Sequence, residues 1–279
     1  MVSSTIAHRL EKTYEAIMKS HNSNSAVVNH STKARIPRKL ALVVSLFTLL
    51  FFSTFAHAGY ILFYGGDFEA TNQDANALAN ENDAIVGGNP YGAATYQNFI
   101  IPAGHTWNIT SLFTNNLSDL HPEGAYWELR SGLSEGNGGT LIASGYGNSG
   151  NGTFTWTPTT RNGFGYDEYQ AHVLLPQGVL LGSGQYWESV VPQSLNEAGR
   201  SFNTNTFTRP SGVGTEIDDQ QYFNSAFFGS NFGNANEQGD FPIFSSGIDG
   251  YDTPEPSSLI LLGSALVGVG GLLRRRFVN

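Results

Sequence analysis

Residues 168–175 read EYQAHVLL, and this stretch decides the fold class. Its apolar and polar residues alternate: Tyr169, Ala171, Val173 and Leu175 lie on one side of an extended chain, and Glu168, Gln170 and His172 lie on the other. A period of two residues is typical of a half-buried strand in an antiparallel sheet. The stretch therefore predicts a strand with one face toward a core and the other toward solvent.

The same alternation recurs on the N-terminal side of this strand. In Ala125–Arg130, residues Ala125, Trp127 and Leu129 are predicted to face the core, with Tyr126, Glu128 and Arg130 outward. In Gly152–Thr157, Phe154 and Trp156 alternate with threonines. Seven further runs predict strands: Tyr60–Tyr64, Tyr96–Ile101, Thr106–Phe113, Thr140–Ser144, Gln185–Val191, Gln220–Phe228 and Phe241–Ser245.

Turns rich in glycine, asparagine and proline separate these runs, as in Gly136–Gly139 and Arg161–Gly163. About ten short strands at this spacing predict an all-β fold, an antiparallel two-sheet sandwich of jelly-roll-like type, over residues 59–252. The sequence also predicts one short helix within Asp74–Asn82. Ser194–Gly214 is predicted to be a long loop.

The charge of this domain limits its partners. Between Gly59 and Pro256 the chain has four arginines, no lysine and 21 acidic residues, a net charge of −17. Such a segment repels phosphate backbones, so we expect no nucleic-acid partner. A divalent cation is compatible with the charge, although a solvated acidic exterior is the favoured interpretation. The chain contains no cysteine, which excludes disulfides, thiol catalysis and thiolate metal sites.

An apolar segment, Leu40–Phe55, precedes the domain. Arg35, Arg38 and Lys39 lie before it, and Ala56-His57-Ala58 follows it. A basic cluster, a short apolar run and a small-x-small site together indicate a secretory signal peptide. We therefore assign residues 1–58 to an N-terminal extension and a signal helix, with cleavage at Ala56 and Ala58 and a mature chain from Gly59. A membrane anchor that stays uncleaved is the alternative.

A second apolar segment, Ser257–Leu273, follows the domain and contains no charged residue. As a helix it would span about 25 Å, which is at the short end of what a bilayer core requires. Arg274, Arg275 and Arg276 follow immediately. A basic cluster at one end of an apolar helix predicts that this end stays in the cytoplasm. The sequence thus predicts a C-terminal transmembrane helix with the domain outside.

Pro254-Glu255-Pro256 stands directly before this helix. The ordered set over residues 253–279, comprising this motif, the apolar helix and the terminal arginines, resembles the PEP-CTERM sorting signal of Gram-negative bacteria, many of which make exopolysaccharide. The resemblance implies Pro254, Glu255 and Pro256 as the sorting motif and Arg274–Arg276 as the stop signal. It also implies an exosortase, a membrane-embedded cysteine protease, as the partner that cuts near the motif. An ordinary single-pass anchor is the alternative.

The domain itself offers little catalytic chemistry. Asp167-Glu168 and Asp218-Asp219 are adjacent pairs, and neighbours on a strand point to opposite faces, which disfavours a glycosidase pair. Trp107, Trp127, Trp156 and Trp187 lie in predicted strands, where a role in the core is favoured over a sugar-binding platform. Three isolated histidines, His105, His121 and His172, lack metal-ligand spacing. We therefore predict that the protein is not an enzyme.

We expect no cofactor, and the metal site is left unknown. Calcium is the least implausible ion because it prefers oxygen ligands. Acidic residues that could supply them are Asp67, Glu69, Asp74, Asp83, Asp218, Asp219 and Asp240.

The sequence as a whole predicts an exported protein that passes through a membrane-anchored intermediate and then reaches the cell surface or extracellular matrix. Its contact with the membrane would be transient, through the C-terminal helix. Its role would be structural or associated with extracellular polysaccharide. Two alternatives stay open: a secreted glycan-acting hydrolase, and a permanently membrane-anchored binding module.

Overall fold

The computed structural model describes residues 59–87, 92–217, 219–239 and 241–254, together with Gly263, Ser264, Leu266 and Val267. The domain contains fourteen strands: β1 (Tyr60–Tyr64), β2 (Ala77–Ala79), β3 (Asn82–Asp83), β4 (Ala94–Ile101), β5 (His105–Ser118), β6 (Gly124–Ser131), β7 (Thr140–Asn148), β8 (Phe154–Gly163), β9 (Tyr166–Leu181), β10 (Gly184–Ser194), β11 (Ser201–Thr204), β12 (Tyr222–Ser225), β13 (Ser230–Asn234) and β14 (Ser246–Pro254). Two short 3₁₀ turns, Ser149–Asn151 and Asn236–Gln238, are the helical segments that the described part of the domain contains.

The strands form two seven-stranded sheets. In sheet I, β5 is the long central strand, with β9 and then β8 on one side. On its other side β5 pairs with β14, which continues to β1, and with β11, which continues to β2. Sheet II has the order β13-β12-β4-β10-β6-β7, with β3 beside β10. The pairing is antiparallel except for β3 with β10, so the predicted all-β architecture of two antiparallel sheets is confirmed.

The main core joins the two sheets. Ile109, Leu112 and Val173 of sheet I pack in one cluster with Phe99 and Leu129 of sheet II. Burying a side chain of this size contributes about 1.5–3 kcal/mol relative to exposure. All the inward residues predicted for Ala125–Arg130 and Glu168–Leu175 lie on the core side, and the buried ones are Ala125, Leu129, Ala171, Val173 and Leu175. Three of the four tryptophans pack inward, with Trp107 buried in the main core and Trp127 and Trp156 partly buried against it, whereas Trp187 is buried in a separate cluster.

Two predicted elements are wrong. Residues 74–82 form a turn followed by β2 and the start of β3, because Ala77–Ala79 pairs with Phe202–Thr204 of β11 and a sheet ladder replaces the helix. Phe241–Ser245 is not a strand, and only Phe244 makes an isolated bridge there, to Asn205. Its apolar residues serve a small separate cluster in which Phe241 stacks on Phe244.

Two other predictions hold only in part. The strand predicted at Gln220–Phe228 is limited to Tyr222–Ser225 and ends in a turn. The long loop predicted over Ser194–Gly214 contains β11, which pairs with both β5 and β2.

The outward faces of the sheets are less exposed than the alternation predicts. Glu168 and Glu128 do point away from the main core, yet they are only 0 % and 5 % exposed. Arg161 covers Glu168, and Arg130 covers Glu128. A second apolar cluster that includes Tyr96, Trp187 and Phe232 lies on the outer face of sheet II. Parts of both outer faces are thus buried by side chains of the domain itself.

The predicted signal helix and the predicted C-terminal transmembrane helix fall outside the described residues. No helix among the residues that the structure describes has the length and apolar character needed to span a membrane.

Candidate functional sites: the end of strand β14 and a surface groove

Strand β14 reaches the first proline of the tail motif. Its register on β5 pairs Asp252 with Trp107, Thr253 with Thr106 and Pro254 with His105. On its other side, β1 pairs with β14 only as far as Tyr60 opposite Gly250. Within the described residues, the strand pairing of Tyr251–Pro254 is therefore with β5, and β14 runs two residues past the predicted domain end at residue 252.

A side-chain contact joins this end of β14 to the start of β5. Nδ1 of His105 lies 2.5 Å from Oδ2 of Asp252, and the two side chains are 47 % and 24 % exposed. Because the pair is partly open to water, its contribution to stability is about 0.2–1 kcal/mol. It nevertheless fixes the residue that precedes Thr253-Pro254.

The two ends of the domain lie side by side. β1 runs antiparallel to β14, so that Tyr60, next to the predicted mature start at Gly59, lies at the end of sheet I where β14 finishes. The chain therefore enters β1 and leaves β14 at the same end of sheet I. Of the residues predicted for sorting, Pro254 is the last residue of β14. Glu255, Pro256, Arg274–Arg276 and the cleavage residues Ala56 and Ala58 lie outside the described residues.

A surface groove of about 570 Å³ lies beside β13. Three segments line it: Glu135–Gly136 before β7, Gly229–Asn234 at β13, and Glu237–Gln238 in the second 3₁₀ turn. Asn231 donates from Nδ2 to the carbonyl of Gly136, and Gly136 N–H donates to the carbonyl of Phe232. These bonds fix the loop before β7 against β13.

The lining of the groove is polar and acidic. It carries two carboxylates, Glu135 and Glu237, and three side-chain amides, and no lysine or arginine is among its lining residues. Gln238 donates from Nε2 to the hydroxyl of Ser230, which orders one wall. Phe227 and Phe228 directly precede Gly229 and are 57 % and 46 % exposed. The groove can thus offer hydrogen-bond acceptors and donors, and the chain carries two exposed aromatic residues directly before the lining segment that begins at Gly229.

The arginines of the domain are used inside the fold. Each lies within 3.0 Å of a glutamate: Arg130 of Glu128, Arg161 of Glu168, Arg200 of Glu81 and Arg209 of Glu216.

Desolvation still raises the pKa of Glu81 to about 7, although Arg200 and the Ser201 N–H oppose the shift. Glu188 is also fully buried, and it has no arginine beside it. Burial raises the pKa of Glu188 well above its usual range.

The acidic pairs considered in the sequence do not converge. Glu168 is buried with Arg161 and Thr159, whereas Asp167 is exposed. Asp218 lies outside the described residues.

The predicted calcium ligands are largely used by the protein itself. Asp67 contacts Arg161 and Ser211, Glu69 accepts from the Phe207 and Thr208 N–H groups, and Asp83 accepts from three backbone N–H groups. Asp240, like Asp218, is outside the described residues. Among the residues that are described, no group of three or more His, Asp or Glu could hold a metal ion. Calcium stays a prediction.

Sequence reasoning missed the groove because its first segment, Glu135–Gly136, lies about ninety residues before the other two and meets them only in the fold. The signals in the sequence were glycine and asparagine runs, which by themselves indicate turns.

A family model describes the tail: residues 252–276 match the PEP-CTERM protein-sorting motif. The chain therefore carries this sorting motif, as its resemblance implied. The motif implies exosortase-dependent sorting, with export and membrane-associated processing toward the cell surface or extracellular space. No curated protein and no solved structure matches the chain.

Proposed function

We propose that the protein is an exosortase-processed component of the cell surface or extracellular matrix, and that its sandwich domain binds extracellular polysaccharide through the groove beside β13. The observation that carries the binding role is the groove's chemistry. Carboxylates and amides accept and donate hydrogen bonds to sugar hydroxyls, while the exposed rings of Phe227 and Phe228 can pack on the apolar faces of sugars.

The charge of the groove selects among glycans. Glu135 and Glu237 repel uronate and sulfate groups, and no cation in the lining compensates them. The ligand is therefore a neutral polysaccharide. A long carbohydrate chain can lie across the groove because most of its lining residues are exposed.

Affinity electrophoresis of the mature domain in gels that contain dextran, a neutral β-glucan or alginate tests this role. We expect retardation by a neutral glycan and none by alginate. Replacing Phe227 and Phe228 by alanine should weaken binding about two- to tenfold, the loss expected for aromatic stacking. Phe164→Ala is the matched control, since Phe164 is an exposed ring on another turn. Retardation that survives the double substitution would place the glycan elsewhere.

One observation favours a second function. Glu135 and Glu237 line the same groove, and a pair of carboxylates about a glycosidic bond is the minimum requirement for glycoside hydrolysis. A hydrolase would release reducing ends from the bound glycan, and Glu135→Gln or Glu237→Gln would each abolish that release while binding persists. A domain that binds glycan without releasing reducing ends supports the binding role alone.

The intact mass of the protein recovered from cells and medium tests the sorting role. A chain that begins near Gly59 and ends near Pro254–Pro256 supports export and removal of the tail into the surface or matrix. A chain that still ends at Asn279 supports a permanently anchored binding module instead.

A further inference from the structure

The sorting motif and the folded sheet overlap. The matched motif begins at Asp252, whereas β14 continues to Pro254. Asp252, Thr253 and Pro254 therefore belong to both, and no linker separates the domain from the motif. The overlap lies beside β5, the long central strand of sheet I, where the last pair of the ladder is Pro254 opposite His105.

A protease binds its substrate as an extended chain and makes main-chain hydrogen bonds along it, in the manner of an added strand. In the folded domain, β5 already occupies one backbone edge of Asp252–Pro254. The contact between His105 and Asp252 adds a side-chain restraint on the first of these residues. An active site cannot enclose this stretch while the ladder is closed.

We propose that the folded sandwich keeps the start of the sorting motif closed, so that processing by the exosortase waits for the end of β14 to separate from β5. The inference rests on the proposed sorting function and adds that the folded domain itself slows processing.

The opening required is small and local. Beyond Gly250 the described part of β1 no longer pairs with β14, so Asp252–Pro254 can separate from β5 without disturbing the β1 ladder. Strand ends of this kind open far more readily than the core they continue. The sheet should therefore slow processing by about tenfold, which corresponds to about 1.4 kcal/mol, and should not block it.

The apolar segment begins so soon after β14 that the protease cannot reach the motif without also meeting the end of this strand. Ser257 is the third residue after Pro254, and three extended residues span at most about 11 Å. When the apolar segment lies in the bilayer, the end of sheet I stands within that distance of the membrane. An active site at the membrane surface must therefore meet the end of β14 together with the motif.

The test follows the full-length precursor by pulse-chase in a host with an active exosortase, with intact mass as the readout of processing. One variant carries eight Gly/Ser residues inserted between Asp252 and Thr253, which frees the motif from the ladder. The matched control carries the same insertion after Gly150, an exposed position in the first 3₁₀ turn. His105→Ala removes the side-chain contact alone.

We expect the insertion after Asp252 to shorten the precursor half-life about tenfold, H105A to shorten it about two- to threefold, and the control insertion to leave it unchanged. An unchanged or longer precursor half-life for the insertion after Asp252 would overturn the proposal that the folded sheet slows processing. Glu255→Ala separates the two claims. If the wild type is processed and E255A is not, the sorting function stands whatever the insertion does. If none of the chains loses its tail, the sorting function itself fails.

Discussion

Replacing Glu188 by glutamine should change how the stability of the domain depends on pH. Glu188 lies on β10 and faces the space between the sheets, where it is 0 % exposed. Neither of its carboxyl oxygens makes a hydrogen bond of good geometry within the described residues, although the Ser246 side chain lies beside it. Glutamine has nearly the same shape and does not titrate.

The sign follows from the raised pKa. Burial holds the pKa of Glu188 well above the 4.5 of a free glutamate, so the folded chain keeps a proton that the unfolded chain releases. The stabilisation from this proton is complete below about pH 4.5 and is lost as the pH rises toward the folded pKa. The loss is about 1.4 kcal/mol per pH unit, and so on the order of 3 kcal/mol from pH 5 to pH 7 if the acid stays protonated throughout.

Urea unfolding of the mature domain at intervals between pH 5 and pH 8 measures this effect. The wild type should lose stability more steeply than E188Q by up to that amount. Glu81, whose pKa is raised to about 7, titrates in the same window in both proteins, so the difference between the two curves isolates Glu188. Glu135→Gln, at an exposed position, is the control and should keep the wild-type slope. Parallel curves for the wild type and E188Q would refute the reasoning, because they would mean that Glu188 is ionised in the folded domain.

Three further substitutions test other parts of the fold by urea or thermal unfolding. Arg161→Ala leaves Glu168 buried without its cation and should lower the free energy of unfolding by about 3–5 kcal/mol, whereas the double variant R161M/E168L should recover most of that loss. Equal losses in the single and the double variant would contradict this view of the ion pair. Phe164→Asn should stabilise the domain by up to about 1 kcal/mol, because Phe164 has a positive φ of 54° in the two-residue turn between β8 and β9, and asparagine tolerates that conformation. A loss of stability would mean that the contact of the Phe164 ring with Phe68 contributes more than the backbone strain costs. Gly247→Ala should cost about 1–3 kcal/mol because a Cβ there would overlap the Phe113 ring, and an unchanged midpoint would show that this ring can move aside.

The strands that could be predicted from the sequence are the long ones with one apolar face. β6, β8 and β9 each contain a run that alternates with a period of two, since the sandwich interior imposes that period. The shorter β2, β11 and β13 carry no such signal, because so few residues leave no room for a period. Their existence depends on neighbours distant in the chain, as when Phe202 of β11 pairs with Leu117 of β5 and Ala79 of β2.

β14 was missed for a different physical reason. It lies between β1 and β5 in sheet I, yet it contains Gly247 and Gly250 and reads as a turn by composition. The glycines are there because a Cβ would collide with the Phe113 ring in one case and with the Asn108 backbone in the other. Close approach of two strands selects glycine, and a propensity argument then interprets the strand as a loop.

The two candidate sites differ in the same way. The sorting motif could be predicted because its parts follow one another in the chain, so that the pattern is complete without any partner segment. The groove could not be predicted, because Glu135 and Glu237 come together only after β13 has paired with β12 and the loop before β7 has bonded to Asn231.

The distribution of charge connects the fold with the proposed ligand. The domain has few cations. Each of its four arginines contacts the carboxylate of a glutamate, and three of these glutamates are at most 5 % exposed. Guanidinium groups committed to buried partners are costly to withdraw, because the carboxylate left behind would be desolvated and unpaired. The described surface is therefore left with carboxylates and amides as its main polar groups. Such a surface gains little from an anionic polymer and can bind a neutral one through hydroxyl groups. The internal use of the arginines and the proposed preference for a neutral glycan are thus two consequences of the same shortage of cations.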